Sequence, residues 1–370
     1  MKLQCHRPTL ANSLNIVSGV VPTRTPKEIL RNVKLQIDSG KVTLVGTDQE
    51  VGVRYELSGV ETDSSGEVLL PTSRVTSILR ELTDETVDIE VTESLVCLRS
   101  GGSEFNLASE DPDEFPDVAA FEESQYYAIP AAALREAIAR TAFATDQEST
   151  RYALGGVLFE PGSDRITLAA TDSRRLAVAA VPGRSEGVEE PANSSPVVPY
   201  KAMKLIEKSI TDEEEEVQVA INANDILFRC GQSTIYSRLV EGRFPSYADV
   251  IPAESQAHVD LEVDSFFSAV RQAQIVTSEE SRGVDFSFSG GLLTLNTVAT
   301  DVGESKIELP ISYEGDDITI SFDPRFVADF LRILKPESTV TLRLIDGESA
   351  AVFGTEDGYT YVVMPLSRDR

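Results

Sequence analysis

Three features of the 370-residue sequence predict an α+β protein made of three similar domains in a row. A strand-like triad, Val42-Thr43-Leu44, returns as Ile166-Thr167-Leu168 and Leu293-Thr294-Leu295, each followed by a Thr-Asp pair: Thr47-Asp48, Thr171-Asp172 and Thr300-Asp301. Two amphipathic helical stripes accompany each triad, and alternating strand patterns fill the intervals. The triads start at 42, 166 and 293, so the copies are offset by 124 and then 127 residues. Such a period is the size of a domain, well beyond the ~20–50 residues of a solenoid unit.

Each copy opens on a strand and then a helix whose apolar residues fall at i and i+4: Leu10 and Leu14, Leu134 and Ile138, Phe266 and Val270. These helices are expected over 8–20, 130–141 and 264–275. A second helix begins roughly sixty residues later, at Pro71-Thr72-Ser73, Pro199-Tyr200 and Asp323-Pro324, residue types suited to helix N-termini. Its expected spans are 72–82, 200–210 and 324–335. Val75, Ile78, Leu79 and Leu82 form its buried stripe, Val327, Phe330, Leu331 and Leu334 reproduce it, and Met203, Ile206 and Ile210 give a weaker version. Alternating strands such as Val87–Val91 and Val217–Ile221 follow, and the copies close on Phe115-Pro116, Phe244-Pro245 and Met364-Pro365. Polar stretches around Glu122-Glu123-Ser124 and Pro252-Ala253-Glu254-Ser255 place the domains at 1–121, 122–253 and 254–370. Each is expected to pack two helices on one face of antiparallel sheets.

Nowhere do ~18 apolar residues run together, and the first residues lack a signal-peptide core, so a cytoplasmic chain without a membrane partner is expected. Cys5, Cys97 and Cys230 are far apart and lack CxxC spacing, which predicts buried free thiols, not a disulfide or zinc site. The acidic run from Asp212 to Glu216 lacks the ligand spacing of a calcium loop and reads as a solvated turn. Asn193-Ser194-Ser195 spells a glycosylation sequon, a chance match in a cytoplasmic chain. No metal or cofactor is expected.

The net charge of −28 taken alone argues against a nucleic-acid partner. Its distribution changes that reading. The six expected helices hold eleven basic residues (Arg74, Arg80, Arg135, Arg140, Lys201, Lys204, Lys208, Arg271, Arg325, Arg332, Lys335) and five acidic ones (Glu81, Glu136, Glu207, Asp264, Asp329), a net of +6 against −34 for the rest. A mildly basic helical surface backed by an acidic exterior suits loose, sequence-independent contact with phosphates.

Catalysis finds little support. Walker A spacing, GxGxxG, HExxH and GxSxG are absent, and the two histidines, His6 and His258, have no triad-like neighbours. A glycosidase-like pair among the 61 carboxylates is the enzymatic alternative. The Thr-Asp pairs recur in every copy, however, which fits a structural turn better than one active site. A further alternative is an acidic three-module protein that binds carbohydrate or peptide; the absence of tryptophan weighs against a carbohydrate platform.

Three segments carry a resemblance: Ala170-Thr171-Asp172-Ser173-Arg174-Arg175-Leu176-Ala177-Val178, Leu239-Val240-Glu241-Gly242-Arg243-Phe244-Pro245-Ser246-Tyr247, and Tyr361-Val362-Val363-Met364-Pro365-Leu366. Together they resemble the signature segments of the bacterial sliding clamp family, the beta subunits of the replicative DNA polymerase III. The resemblance runs the length of the chain. It implies a DNA-clamp fold of three domains and a head-to-tail homodimer closed into a ring around duplex DNA. It also implies a processivity factor that performs no chemistry. Partners implied are double-stranded DNA, the polymerase III alpha subunit, the clamp loader, and other polymerases and repair proteins bearing the clamp-binding motif.

Carried over residue by residue, the resemblance places a partner-peptide groove at Leu154, Thr171, Arg175, Leu176, Pro245, Val250, Val362, Val363, Met364, Pro365 and Leu366. The aliphatics and prolines suit leucine or phenylalanine anchors, with Thr171 and Arg175 expected to fix the peptide's polar groups. DNA contacts map to Arg24, Arg74, Gln147 and Tyr152. Phe105 and Leu107 are expected to meet Ile275 and Val276 of a partner subunit. Departures from the family pattern are Asp249 for a basic residue, Ser281 for an aromatic, Asp323 for an asparagine, Phe326 for a tyrosine, Ala153 for an aromatic, and the tail Ser367-Arg368-Asp369-Arg370.

Overall fold

A computed structural model describes the chain apart from residues 63, 93–94, 149–151, 189–194, 279–281, 301 and 368–370. Asn193, Ser194, Ser281, Asp301 and the tail residues Arg368–Arg370 therefore lie outside the described residues. Among the described residues there are six α-helices: α1 (Arg7–Val17), α2 (Thr72–Glu81), α3 (Ala131–Thr141), α4 (Tyr200–Ser209), α5 (Val263–Gln274) and α6 (Pro324–Arg332). They match the expected six, with α1 and α6 each ending three residues early.

The stripes point inward as their spacing requires. Leu10, Leu14, Leu134, Ile138, Phe266 and Val270 are all buried, and so are Val75, Leu79, Met203, Ile206, Val327, Phe330 and Leu331. The prolines at 71, 130 and 199 each end a strand and hand over directly to a helix. At α6 the handover is made by Asp323, whose buried carboxylate accepts from the Arg325 backbone N–H and from its guanidinium.

Contacts group the chain into two compact units, residues 1–135 with 182–240 and residues 136–181 with 241–370. The division cuts through the middle repeat. In the first unit the strand Ser233–Arg238 of the middle repeat pairs antiparallel with Val51–Leu57 of the first, Ile235 opposite Val53. This ladder makes one nine-stranded sheet running from Arg184–Glu186 to Gly66–Pro71. In the second unit Arg175–Pro182 pairs antiparallel with Thr360–Val363 of the third repeat, Leu176 opposite Val362. The same joint is thus used twice: the last strand of one repeat completes the sheet of the repeat before it.

Among the strands that end sheets are Ser103–Ala108 in the first unit and Gly303–Pro310 in the second. They occupy the positions that the joints use elsewhere, as the last strand of repeat one and the strand that follows the third Thr-Asp pair in sequence.

The core of the second unit is aromatic. Phe330 stacks on Tyr361 with ring centroids 4.8 Å apart and 7° between planes, and Phe353 packs against Phe266, Phe322 and Phe330. The three cysteines are free and buried, as expected. Burial pushes the Cys5 thiol up to about 12 and, with Glu215 and Asp212 adding to it, the Cys230 thiol up to about 11. The run 212–216 is exposed throughout.

Phe330→Ala removes a wholly buried ring from this stack and is expected to cost about 3–5 kcal/mol in denaturant unfolding. A loss under about 1 kcal/mol would contradict the packing described.

Candidate functional site

The Thr-Asp turn is built identically in the first two copies. Thr171 Oγ1 donates to the Arg175 carbonyl (2.7 Å) and accepts from the Ser173 N–H, while Asp172 Oδ1 accepts from the N–H groups of Arg174 and Arg175. Thr47 and Asp48 make the same four bonds with Gln49, Glu50 and Val51. The third residue of each turn, Gln49 or Ser173, sits at positive φ (81° and 75°), which the side-chain hydrogen bonds stabilise. These are strand-to-strand turns, as the recurrence predicts.

Each turn is also tied by an ion pair to the second helix of the next repeat. Asp48 receives Lys201 of α4. In the second copy the polarity reverses: Arg175 Nη1 reaches Asp329 of α6 at 2.8 Å, while its Nε bonds Asp172 Oδ2 at 2.9 Å. Arg175 Nη2 donates to the Phe143 carbonyl, and the guanidinium lies over the rings of Phe143 and Phe326. Burial works against this charge, and the Tyr361 phenol with the Asp329 and Asp172 carboxylates outweighs it, so its pKa stands above the ordinary value.

The expected polar contact of Arg175 with a ligand is joined here by a structural role. Its side chain is 11% exposed and every arm of the fork is engaged within the protein. What it fixes is the wall: turn, α6 and the segment at Phe143 are held by one cation. Nothing in a local sequence window links Arg175 to Asp329, 154 residues on.

All eleven expected groove residues belong to the second unit. The ladder sets Arg175 opposite Val363 and Leu176 opposite Val362, and the Met364 N–H continues it to the Arg174 carbonyl. Leu154 lies on a short turn (Tyr152–Leu154) whose last carbonyl accepts from the Asp146 N–H. Leu154, Leu176, Val362 and Val363 are buried, whereas Pro245 and Val250 are exposed on the loop that passes Ala153 at Gly242. Here the third repeat departs from the others. Phe115 and Phe244 are buried before their prolines, but Met364 is 44% exposed.

Beyond Met364 the chain runs along the strand Ile318–Phe322, with the Leu366 N–H bonded to the Ser321 carbonyl. Met364, Pro365 and Leu366 line a cavity of about 940 Å³ together with Asp346 and Glu348, which sequence reasoning passed over. A second cavity, about 720 Å³, lies between Asp172, Phe326 and Asp329 and includes Gln147 and Arg174.

Arg24 and Arg74 are exposed in the first unit and Gln147 in the second. The Tyr152 side chain lies outside the described residues. Phe105 projects from the sheet-end strand, Leu107 and Val276 are half-buried, and Ile275 is 77% exposed just past α5.

The observed helices carry eleven basic and five acidic residues, again a net of +6, with Arg7 gained and Lys335 lost. Seven of those cations already have carboxylate partners, from Arg80 with Glu81 to Arg332 with Asp329. Arg140 is half-buried against Tyr359 and Asp357. The free positive charge is therefore smaller than the count. Among the described residues no cluster of three metal-ligating side chains occurs. His6 and His258 are both exposed on strands, each hydrogen-bonded to a nearby hydroxyl.

Repeated α+β modules joined by shared sheets, with an apolar, arginine-braced wall, have the architecture of a binding protein. Comparison with known proteins gives the family. The chain matches the family models for the DNA polymerase III beta subunit in three consecutive pieces: N-terminal domain at 1–119, central domain at 128–246 and C-terminal domain at 248–367. It is 30% identical to the beta sliding clamp of Pseudomonas putida across 99% of this chain and 100% of that one, and 29% identical to that of Escherichia coli over the same shares. The crystal structure of the Pseudomonas aeruginosa beta subunit superposes with a TM-score of 0.91 at 28% identity, covering all of both chains. The chain belongs to the DNA polymerase III beta-subunit family, the beta sliding clamps. Members are non-catalytic processivity factors, and the function here is that of a DNA sliding clamp.

Replacing Arg175 by Met leaves Asp172 and Asp329 without their shared cation and is expected to destabilise the protein by roughly 3 kcal/mol. Unfolding in denaturant measures it. An unchanged midpoint would remove Arg175 as the brace.

Proposed function

We propose that two copies of the chain close head to tail into a ring around duplex DNA, joined through the sheet-end strands Ser103–Ala108 of one copy and Gly303–Pro310 of the other. The observation that carries this is the joint used twice within the chain. A last strand adds to the preceding repeat's sheet at 233–238 and again at 360–363. Ser103–Ala108 is the remaining last strand, and Gly303–Pro310 is the remaining receiving strand. Open edges with exposed backbone groups and apolar side chains are templates for pairing with another chain. Phe105 and Leu107 on one edge and Ile275 and Val276 beside the other supply the apolar contact.

In this reading the six helices face the DNA. Their residual positive charge is modest, and retention comes from encirclement, so no base needs to be read. Arg24, Arg74, Gln147 and Tyr152 are the proposed contacts to the duplex. The domains are proposed to divide at 121 and 253, and the protein to act in the cytoplasm.

Partners are proposed to be the polymerase III alpha subunit, the clamp loader, and further polymerases and repair proteins that present a short linear motif. The peptide would lie on Pro245, Val250 and the Met364–Leu366 segment, over a floor of Leu154, Leu176, Val362 and Val363. Thr171 and Arg175 hold that floor in shape. Asp249, hydrogen-bonded to Ser246, adds negative charge to the rim.

Ile275→Asp is expected to raise the dimer dissociation constant at least about tenfold in sedimentation. In the same preparation, clamps assembled on a nicked circular plasmid should stay bound and be lost once it is linearised. Equal retention on both forms would overturn the ring.

Met364→Ala is expected to weaken a tail peptide with leucine and phenylalanine anchors by about 1–3 kcal/mol in calorimetry. Unchanged affinity would move the groove elsewhere.

A further inference from the structure

We propose that the cavity beside Met364 selects partner peptides carrying a lysine or arginine next to their apolar anchor, an inference that rests on the peptide groove proposed above. Met364, Pro365 and Leu366 give it an apolar lining and Asp346 and Glu348 an acidic one, and among the described residues no basic side chain lines the space.

Both linings are fixed. Asp346 Oδ1 accepts from the N–H groups of Glu348 (2.9 Å) and Ser349 (2.6 Å), which closes the loop into a tight turn. Those bonds, the Glu348 N–H first, hold the Asp346 carboxyl below its ordinary value, so it stays ionised. Gly347 lets this loop press on Thr319, because a Cβ there would collide with the Thr319 carbonyl oxygen. In the apolar lining, the N–H groups of Met364 and Leu366 are bonded to the carbonyls of Arg174 and Ser321.

Glu348 is exposed and its carboxylate has no partner among the described residues. An extended peptide whose leucine or phenylalanine covers Met364 brings its neighbouring side chain over these two carboxylates. An acidic residue there meets like charge, a neutral one partly desolvates Glu348 without compensation, and a basic one pairs with it. Nucleic acid is excluded as the occupant by the same charges.

The test uses the full chain and fluorescein-labelled peptides with leucine and phenylalanine anchors, differing only in one flanking residue, Lys, Gln or Glu, placed at each flanking position in turn. At low salt the best Lys peptide is expected to bind about three- to tenfold more tightly than its Gln counterpart, and the Glu peptide more weakly than both. The preference should shrink at high salt. D346N/E348Q keeps the turn-closing oxygen and should abolish the preference, the Lys, Gln and Glu peptides then binding alike. A control pair of the same charge change in the acidic run, E213Q/E214Q, should retain it. Equal binding of Lys and Gln peptides at every position, or loss of the preference in the control pair alone, overturns the selectivity and leaves the groove intact. If no peptide binds in any form, the groove itself is overturned.

Discussion

A β-strand at the edge of a sheet presents unpaired N–H and C=O groups, and the rest of this structure depends on how those edges are completed. Within the chain two of them are completed by the neighbouring repeat, Ser233–Arg238 on Val51–Leu57 and Arg175–Pro182 on Thr360–Val363. Backbone ladders of this kind are long-lived because every bond is shielded by its neighbours and by side chains on both faces. For this reason the compact units do not coincide with the repeats. Half of the middle repeat coheres with the first and half with the third.

The ladders also set where the chemistry of recognition can be built. Thr47-Asp48 and Thr171-Asp172 shape the hairpins that receive the added strand, and an ion pair to the next repeat's second helix locks each: Lys201 to Asp48, Arg175 to Asp329. Only at the second joint does the added strand run on into an exposed apolar segment. Met364 stands open where Phe244 is buried, because the chain beyond it lies along Ile318–Phe322 and does not turn back into a core. The proposed groove thus arises at a joint, with a half-buried arginine as its brace and a carboxylate-bearing loop beside it.

Much of this was legible in the sequence, for physical reasons that are local. Leu10 with Leu14, or Val327 with Phe330 and Leu331, declare a buried helical face by spacing alone. The Thr-Asp pairs declare a turn, since their side chains bond backbone groups two to four residues away. Charge balance was read correctly in sum, +6 on the helices, but not in effect, because Arg135, Arg140 and Lys201 spend their charge on Glu213, Asp357 and Asp48. Such pairings span from 78 to 217 residues of chain and leave no periodic trace. The same distance hid the role of Arg175, and the acidic wall at Asp346 and Glu348 became visible only once Leu366 was placed beside Ser321.

The central claim is that one strand-addition joint is used three times, twice inside the chain and once between chains. Amide hydrogen exchange across a dilution series tests it most directly. The account predicts that amides of Ser103–Ala108 and Gly303–Pro310 are protected at concentrations where the chain is dimeric and lose that protection together on dilution to monomer, while Ser233–Arg238 and Thr360–Val363 remain protected throughout. Rapid exchange of both edges at every concentration, in a sample that sediments as a dimer, would contradict it.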